Sequence, residues 1–322
     1  MYPEKQNFNR VLARDNPSHV CCVPPSRGAS YIGGGPDESR PSPETGEWRD
    51  EWGVLWKELN GEVFPVGPAV DSYEKVGDVV PPDAARPGRF APVEELARTL
   101  DRESYFLAVG HPYFLYEKAI NILGPAEFGV AMLAAPARAH QLLDMILDFE
   151  LAIAARYVAY RPDHINFSDD YGHQDRLAMS PECWQEFFKP RLERAVDFYR
   201  GRLGAGITVS LHSCGHVMPI LEDLAEVGVD VLHPVQSTAN DLPQLRARTS
   251  GALTLAGGIC GQRVLPLGTP EEVRQEVRRK MDMLWENGGY LPMAEKTYGV
   301  PPENLQAMNE AIRQWSRENV EA

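Results

Sequence analysis

No stretch of this 322-residue chain is long and apolar enough to span a bilayer, which takes about 20 residues in succession. The first ten residues, Met1 to Arg10, lack the apolar core of a secretory signal peptide, so a reducing cytoplasm is the expected location. Cysteine is scarce. The five residues Cys21, Cys22, Cys183, Cys214 and Cys260 are odd in number and scattered, which excludes a disulfide framework. Each is either a small buried hydrophobe or a metal-ligand or nucleophile candidate. Basic residues are outnumbered, 32 against 46 acidic, for a formal net charge of −14. A long anionic duplex is therefore a poor partner, and neither nucleic acid nor membrane is expected. There is no internal repeat of fixed period, and no Gly-rich dinucleotide fingerprint follows any strand-like run.

What is present reads as one globular α/β chain, with 43% hydrophobic and 24% charged residues. Residues 1–100 read as an irregular N-terminal segment contributing to a pocket wall. It includes a Gly-, Pro- and Ser-rich loop over 24–45, with Gly33-Gly34-Gly35-Pro36, and a second Pro-rich stretch over 78–92. Trp48, Trp52 and Trp56 recur every four residues and read as a packed aromatic cluster. Over 101–322 strand-like and helix-like segments alternate. Strands are expected at Tyr105–Val109, Ile165–Phe167, Ile207–Leu211, Val229–Leu232, Leu253–Ala256 and Tyr290–Met293, with an earlier one at His19–Val23. Ser180-Pro181 and Thr269-Pro270-Glu271-Glu272 cap helices, Pro190 kinks the first of these, and Gly288-Gly289 ends the second. Strand, helix, strand in series means parallel pairing through crossover helices. About seven strands are close to the eight of a (β/α)8 barrel, with a doubly wound sheet as the rival.

In such a barrel, chemistry sits just past the C-terminal ends of the strands. Leu211-His212-Ser213-Cys214-Gly215-His216 is one such end. His212 and Cys214 are two apart, so an extended backbone points both the same way, and imidazole with thiolate suits Zn²⁺. The plainer reading is a buried cysteine beside a loop histidine, with His216 an exposed first-turn residue. Cys260, in Gly257-Gly258-Ile259-Cys260-Gly261-Gln262, lies past another strand end as a possible third soft ligand or as a small residue in a tight turn. In Ser168-Asp169-Asp170-Tyr171-Gly172-His173-Gln174, adjacent carboxylates face opposite ways, so one enters the pocket and one caps a turn. His233 and Gln236, in Leu232-His233-Pro234-Val235-Gln236, suit substrate orientation or support of a metal ligand, or else line the wall.

Taken together and in order, these segments resemble the uroporphyrinogen decarboxylase superfamily. The resemblance rests on Asp169-Asp170-Tyr171-Gly172 with Gln174, Met179-Ser180-Pro181-Glu182, His212-x-Cys214-Gly215 and Gly228-Val229-Asp230-Val231-Leu232 with Pro234-Val235-Gln236. It continues through Gly257-Gly258-Ile259, Gly268-Thr269-Pro270-Glu271-Glu272-Val273, Gly288-Gly289-Tyr290 and Val300-Pro301-Pro302-Glu303-Asn304, and is loose before residue 100, where Asp50-Glu51-Trp52-Gly53-Val54 also looks like members of the group.

The resemblance implies a single distorted (β/α)8 barrel with a deep pocket at its C-terminal end. One branch, the true decarboxylases, needs no cofactor and has an arginine-rich signature after the first strand. In Val23–Tyr31 only Arg27 is present, which argues against a substrate with many carboxylates. The other branch is similar to corrinoid-dependent methyltransferases, in which His-x-Cys supplies two zinc ligands, matching His212 and Cys214. Its third ligand, a cysteine after the last strand, is missing from Glu295-Lys296-Thr297-Tyr298-Gly299-Val300. Cys260 is the expected substitute, with Glu295 as the oxygen alternative.

The favoured expectation is thus a zinc-dependent methyltransferase acting on a small-molecule substrate. Its cobalamin would be supplied from outside, free or on a corrinoid protein, since no Asp-x-His-x-x-Gly pattern is present. A cofactor-free decarboxylase of a porphyrinogen-like substrate and a non-catalytic corrinoid carrier are the alternatives. Asp169, Asp170, Gln236 and Tyr298 are the candidate catalytic residues, and Arg27, Tyr171, Gln174 and His233 the candidate substrate contacts.

Overall fold

The computed structural model describes residues 3–30 and 45–321, so Gly33-Gly34-Gly35-Pro36 lies outside the described residues. The chain opens with α1 (Glu4–Ala13), β1 (Ser26–Ser30), β2 (Glu47–Arg49), β3 (Leu55–Leu59), β4 (Glu62–Gly67) and α2 (Ala91–Thr99). It continues with β5 (Phe106–His111), α3 (Tyr116–Leu123), α4 (Pro125–Ala134), α5 (Pro136–Val158), β6 (His164–Ser168), α6 (Pro181–Phe187), α7 (Lys189–Leu203) and β7 (Thr208–His212). The last third holds α8 (Leu221–Glu226), β8 (Val231–His233), α9 (Leu242–Thr249), β9 (Thr254–Ile259), α10 (Val264–Leu267), α11 (Pro270–Leu284), β10 (Tyr290–Ala294) and α12 (Pro302–Asn319). No helix among the described residues is long and apolar enough to cross a membrane.

Seven strands form one parallel sheet in the order β1-β5-β6-β7-β8-β9-β10. Phe106 of β5 and Leu291 of β10 stand five places apart in that order, yet share one buried cluster with Phe8, Val11 and Cys21. The sheet is therefore curled, with α1 and the following segment plugging its N-terminal end. The expected eight-stranded barrel is met only in part, because β1 and β10 remain edge strands and no eighth strand joins them among the described residues. The strand expected at His19–Val23 is not one. Pro24 and Pro25 cannot donate to a ladder, and pairing with β5 begins only at Ser26, inside the stretch expected to be loop.

The first 100 residues are more regular than expected. Strands β2, β3 and β4 form an antiparallel sheet in which Trp48 lies opposite Trp56. The tryptophan cluster is buried, and its four-residue spacing is that of a hairpin. Asp50, itself buried, accepts from Trp52 N, Val54 N and Trp56 Nε1. Ser180 and Thr269 cap their helices as expected, the latter in a reciprocal capping box. The helix carrying Pro190 is broken rather than bent, ending at Phe187 and restarting at Lys189 with the proline in its first turn. Helix α11 stops at Leu284, ahead of Gly288 and Gly289. Both glycines adopt positive φ against α1, where a Cβ on Gly288 would lie 2.5 Å from Val11 O.

Inside the curl, His164 of β6 bonds through Nε2 to Ser210 Oγ of β7 at 2.7 Å. Burial pushes its pKa from 6.5 down to about 4, against a small opposing effect of Asp163. Folding thus holds the ring neutral. The associated stability is complete above about pH 6.5 and is lost as the pH falls through about 4. His164→Gln keeps a donor at this place without the titration. Its Tm is expected to fall less than that of the wild type between pH 6.5 and 4, and parallel Tm curves in melts across that window would refute this assignment.

Candidate metal centre

Strands β6 and β7 are neighbours in register, with Ser168 opposite His212. Each continues for two residues beyond its ladder, which sets Asp170 facing His212 and Cys214. His212 Nε2 lies 3.4 Å from Cys214 Sγ and 3.6 Å from Asp170 Oδ1, and the three ligand atoms all lie within 4.8 Å of one another. Zinc arms of about 2.0–2.3 Å put the corners of a tetrahedral site roughly 3.3–3.6 Å apart. The oxygen, nitrogen and sulfur donors match that spacing and leave a fourth corner for water or substrate.

The supporting contacts fit the same use. His212 Nδ1 is 2.8 Å from His233 Nδ1, so the first ring is held by one nitrogen and presents the other to the cluster. Burial lowers the pKa of His233 to about 4, helped by the His212 ring, which keeps this neighbour neutral. Asp170 Oδ1 accepts from Cys214 N at 2.8 Å, and Gln236 Oε1 accepts from Gly215 N. Burial first, then the Asp170 charge, pushes the Cys214 thiol up to about 12. A cation at this place reverses both effects and favours the thiolate.

Asp169 takes the other role. Its carboxylate is fully buried and accepts from the backbone N–H groups of Leu115, Tyr116 and Glu117, at the start of α3. It therefore anchors a helix and does not enter the mouth. Glu117 was not anticipated from sequence, because an acid in the first turn of a helix is ordinary there. Its Oε2 accepts from Asp170 N at 3.3 Å, and burial, followed by repulsion from Asp169 and Asp170, raises its pKa to about 9.

The other candidates are spread out. Cys260 is buried but is not part of the three-ligand cluster, whose third member is Asp170. One strand, β8, stands between its parent β9 and β7. Glu295 is occupied, taking Ser237 N and Oγ on one oxygen and Gly261 N on the other. Tyr171 is fully buried among Tyr116, Trp184 and Phe188. Gln174 is exposed and donates to Thr238 O, and His216 bonds Ala239 O. Tyr298 is exposed beneath Lys296. Arg27 stacks 4.4 Å from the ring of Tyr105, just before β5, at the opposite end of the sheet from the cluster.

The fold and this mouth define an α/β protein with a candidate metal-ligand cluster at the C-terminal edge of a curled parallel sheet. The chain belongs to the uroporphyrinogen decarboxylase (URO-D) family, whose model matches residues 60–315. Two curated relatives, both named methylcobamide:CoM methyltransferase MtaA, from Methanosarcina barkeri and its strain Fusaro, are 27% and 26% identical over 172 residues. That alignment covers 52% of this chain and 46% of theirs, so the chain spans about half the length of the curated relatives it matches. A methyltransferase from Methanosarcina mazei shares the fold, with a TM-score of 0.71 and 18% identity over 98% of this chain and 99% of that one.

The loops carrying Asp170 and Cys214 touch backbone to backbone. A Cβ on Gly172 would lie 2.5 Å from His216 N, and Gly215, at φ +82°, faces the Gly172 carbonyl just as closely. Gly215→Ala is therefore expected to cost about 2 kcal/mol or more, from positive φ together with the clash. It should also weaken metal binding by opening the pair. Urea melts and zinc titration of the variant check this, and wild-type values in both would refute it.

Proposed function

We propose that the chain is a zinc-dependent methyltransferase that moves a methyl group between a corrinoid and a thiol or other small acceptor. The observation that carries this reading is the convergence of Asp170, His212 and Cys214 at the mouth, with spacings that suit one tetrahedral cation. It is supported by the family membership and by the curated relatives, whose name joins a methylcobamide to CoM. The corrinoid would arrive as free cobalamin or on a separate corrinoid protein.

Asp170, His212 and Cys214 would hold the metal. Bound zinc lowers the pKa of a coordinated acceptor thiol, so that the thiolate is available near neutral pH. The chain's own residues set the stage for that chemistry. His233 fixes the His212 ring, Gln236 fixes the turn at Gly215, and Glu117 holds the Asp170 backbone by accepting from its N–H. A cofactor-free decarboxylase is the second reading. It is favoured by the half-buried Asp170 carboxylate, placed to face a cationic intermediate.

The test is zinc content by elemental mass spectrometry, paired with methyl transfer from methylcobalamin to a small thiol. His212→Ala/Cys214→Ser is expected to lower bound zinc by about one per chain and to abolish transfer, while Cys260→Ser changes neither. Unchanged zinc in the double variant, or transfer that survives it, overturns the reading. Decarboxylation of a carboxylated pyrrole by the metal-free protein would install the second.

A further inference from the structure

The spacing that singles out His212-x-Cys214 occurs once more, in His19-Val20-Cys21 near the start of the chain. There too a carboxylate from a different element completes an oxygen, nitrogen and sulfur set. Glu4, the first residue of α1, places both carboxylate oxygens 3.3 Å from His19 Nε2, and ligand atoms of Glu4, His19 and Cys21 all lie within 4.8 Å of one another. We propose that Glu4, His19 and Cys21 form a second, separate site for a borderline-soft divalent cation, zinc foremost, at the N-terminal end of the sheet.

The surroundings are built for holding these side chains. Asn7, fully buried on α1, donates Nδ2 to Cys21 Sγ at 3.1 Å and to His19 O at 2.9 Å. Its Oδ1 accepts from Ser18 N and Ser18 Oγ, and Ser18 Oγ lies 3.1 Å from His19 Nδ1. One buried amide thus orients the sulfur, the segment that carries it and, through Ser18, the imidazole ring. Thiolate and imidazole select against magnesium and calcium, which take oxygen. Arg313 and Arg317 line the cavity beside Glu4 and His19 and oppose a bare cation. They do not oppose the complex, because one thiolate, one carboxylate and Zn²⁺ sum to zero charge, with the thiol proton released to solvent on binding.

The position gives the site a purpose. Cys21 belongs to the buried cluster of Phe8, Val11, Phe106 and Leu291 at the N-terminal end of the sheet, and Val20 N donates to Ser316 Oγ of α12. A cation bridging Glu4 to His19 and Cys21 ties α1 to the segment that plugs this end. The role is structural and far from the chemistry, since the cluster of Asp170, His212 and Cys214 occupies the opposite end.

The experiment is zinc titration of the chelator-stripped full chain, with Co²⁺ as a spectroscopic probe. The wild type is expected to take two equivalents, His212→Ala/Cys214→Ser one, and the same protein with His19→Ala/Cys21→Ser added none. The thiolate-to-cobalt band should survive in the first double variant and vanish in the combined one. Because Cys21 is buried, Glu4→Gln provides a gentler check. On the His212→Ala/Cys214→Ser background it should weaken zinc binding about tenfold or more with circular dichroism unchanged. No zinc bound by His212→Ala/Cys214→Ser, or unaltered affinity in Glu4→Gln, overturns the inference. One equivalent that survives in His212→Ala/Cys214→Ser but equals the wild-type total would sink the methyltransferase reading and leave this site standing.

Discussion

The candidate centre depends on a steric constraint, the closeness of two backbones. The loop after β6 and the loop after β7 meet at Gly172 and Gly215, where neither side has room for a β-carbon. His216 N donates to His173 O across the contact, Tyr171 N donates to Ser213 Oγ, and Cys214 N donates to Asp170 Oδ1. Any side chain larger than hydrogen at either glycine would separate Asp170 from Cys214 and His212. The site is precise because two short loops on adjacent strands are locked to each other, with no single long loop to wander.

Within that frame, burial sorts a crowd of acids. Asp169 lies deepest and spends its charge on three backbone donors at the start of α3, which is how a buried carboxylate is tolerated. Glu117 has a single backbone donor, Asp170 N, and burial with the charges of Asp169 and Asp170 raises its pKa to about 9. Asp170, half-buried, keeps an oxygen toward His212 and Cys214. Three carboxyl groups within two short segments therefore have three fates, set by burial and by the charges and donors around each one. The oxygen left at the mouth lies beside the half-buried Cys214 thiol and the His212 ring.

Much of this was legible in the sequence. The alternation of apolar runs with capped helices located six of the seven parallel strands, because parallel strands are buried on both faces and read as continuous apolar stretches. His19–Val23 misled because its composition is that of a strand, whereas the prolines after it and the packing of α1 decide its fate. Strand alternation gave the expectation that one of Asp169 and Asp170 faces the pocket and the other caps a turn, but not which one. The third member of the cluster was not legible, since spacing along the chain says which residues reach the mouth but not which reach each other. Cys260 comes from β9, two places from β7, while Asp170 comes from the strand directly beside it. Glu117 was hidden because its importance arises from an Asp169 contact 52 residues away.

A fully buried ion pair lies behind the centre. Lys118, adjacent to Glu117 on α3, is buried and paired with Glu150 of α5, whose other oxygen accepts from His111 at 2.6 Å. His111 Nε2 continues to Tyr199 OH at 2.7 Å, and the Lys118 ammonium sits 5.8 Å from the ring of Trp52 and 5.5 Å from that of Phe149. A buried ion pair of this kind is weak evidence for stability, because well-packed apolar groups often do as well, while stranding one partner costs about 3–5 kcal/mol. Its value here is positional. Turning α3 about its axis would break the Asp169 cap and strand Lys118 and Glu150 in the same movement. The helix therefore has one low-energy orientation, in which Lys118 points into the core and Glu117 faces the mouth. Trp52 packs on Phe149 of α5, and Trp56 on Tyr113 just ahead of α3, so the N-terminal hairpin packs against α5 and the turn that leads into α3. The geometry of the mouth is thereby fixed by elements from both halves of the chain, only a few of which supply a side chain to it.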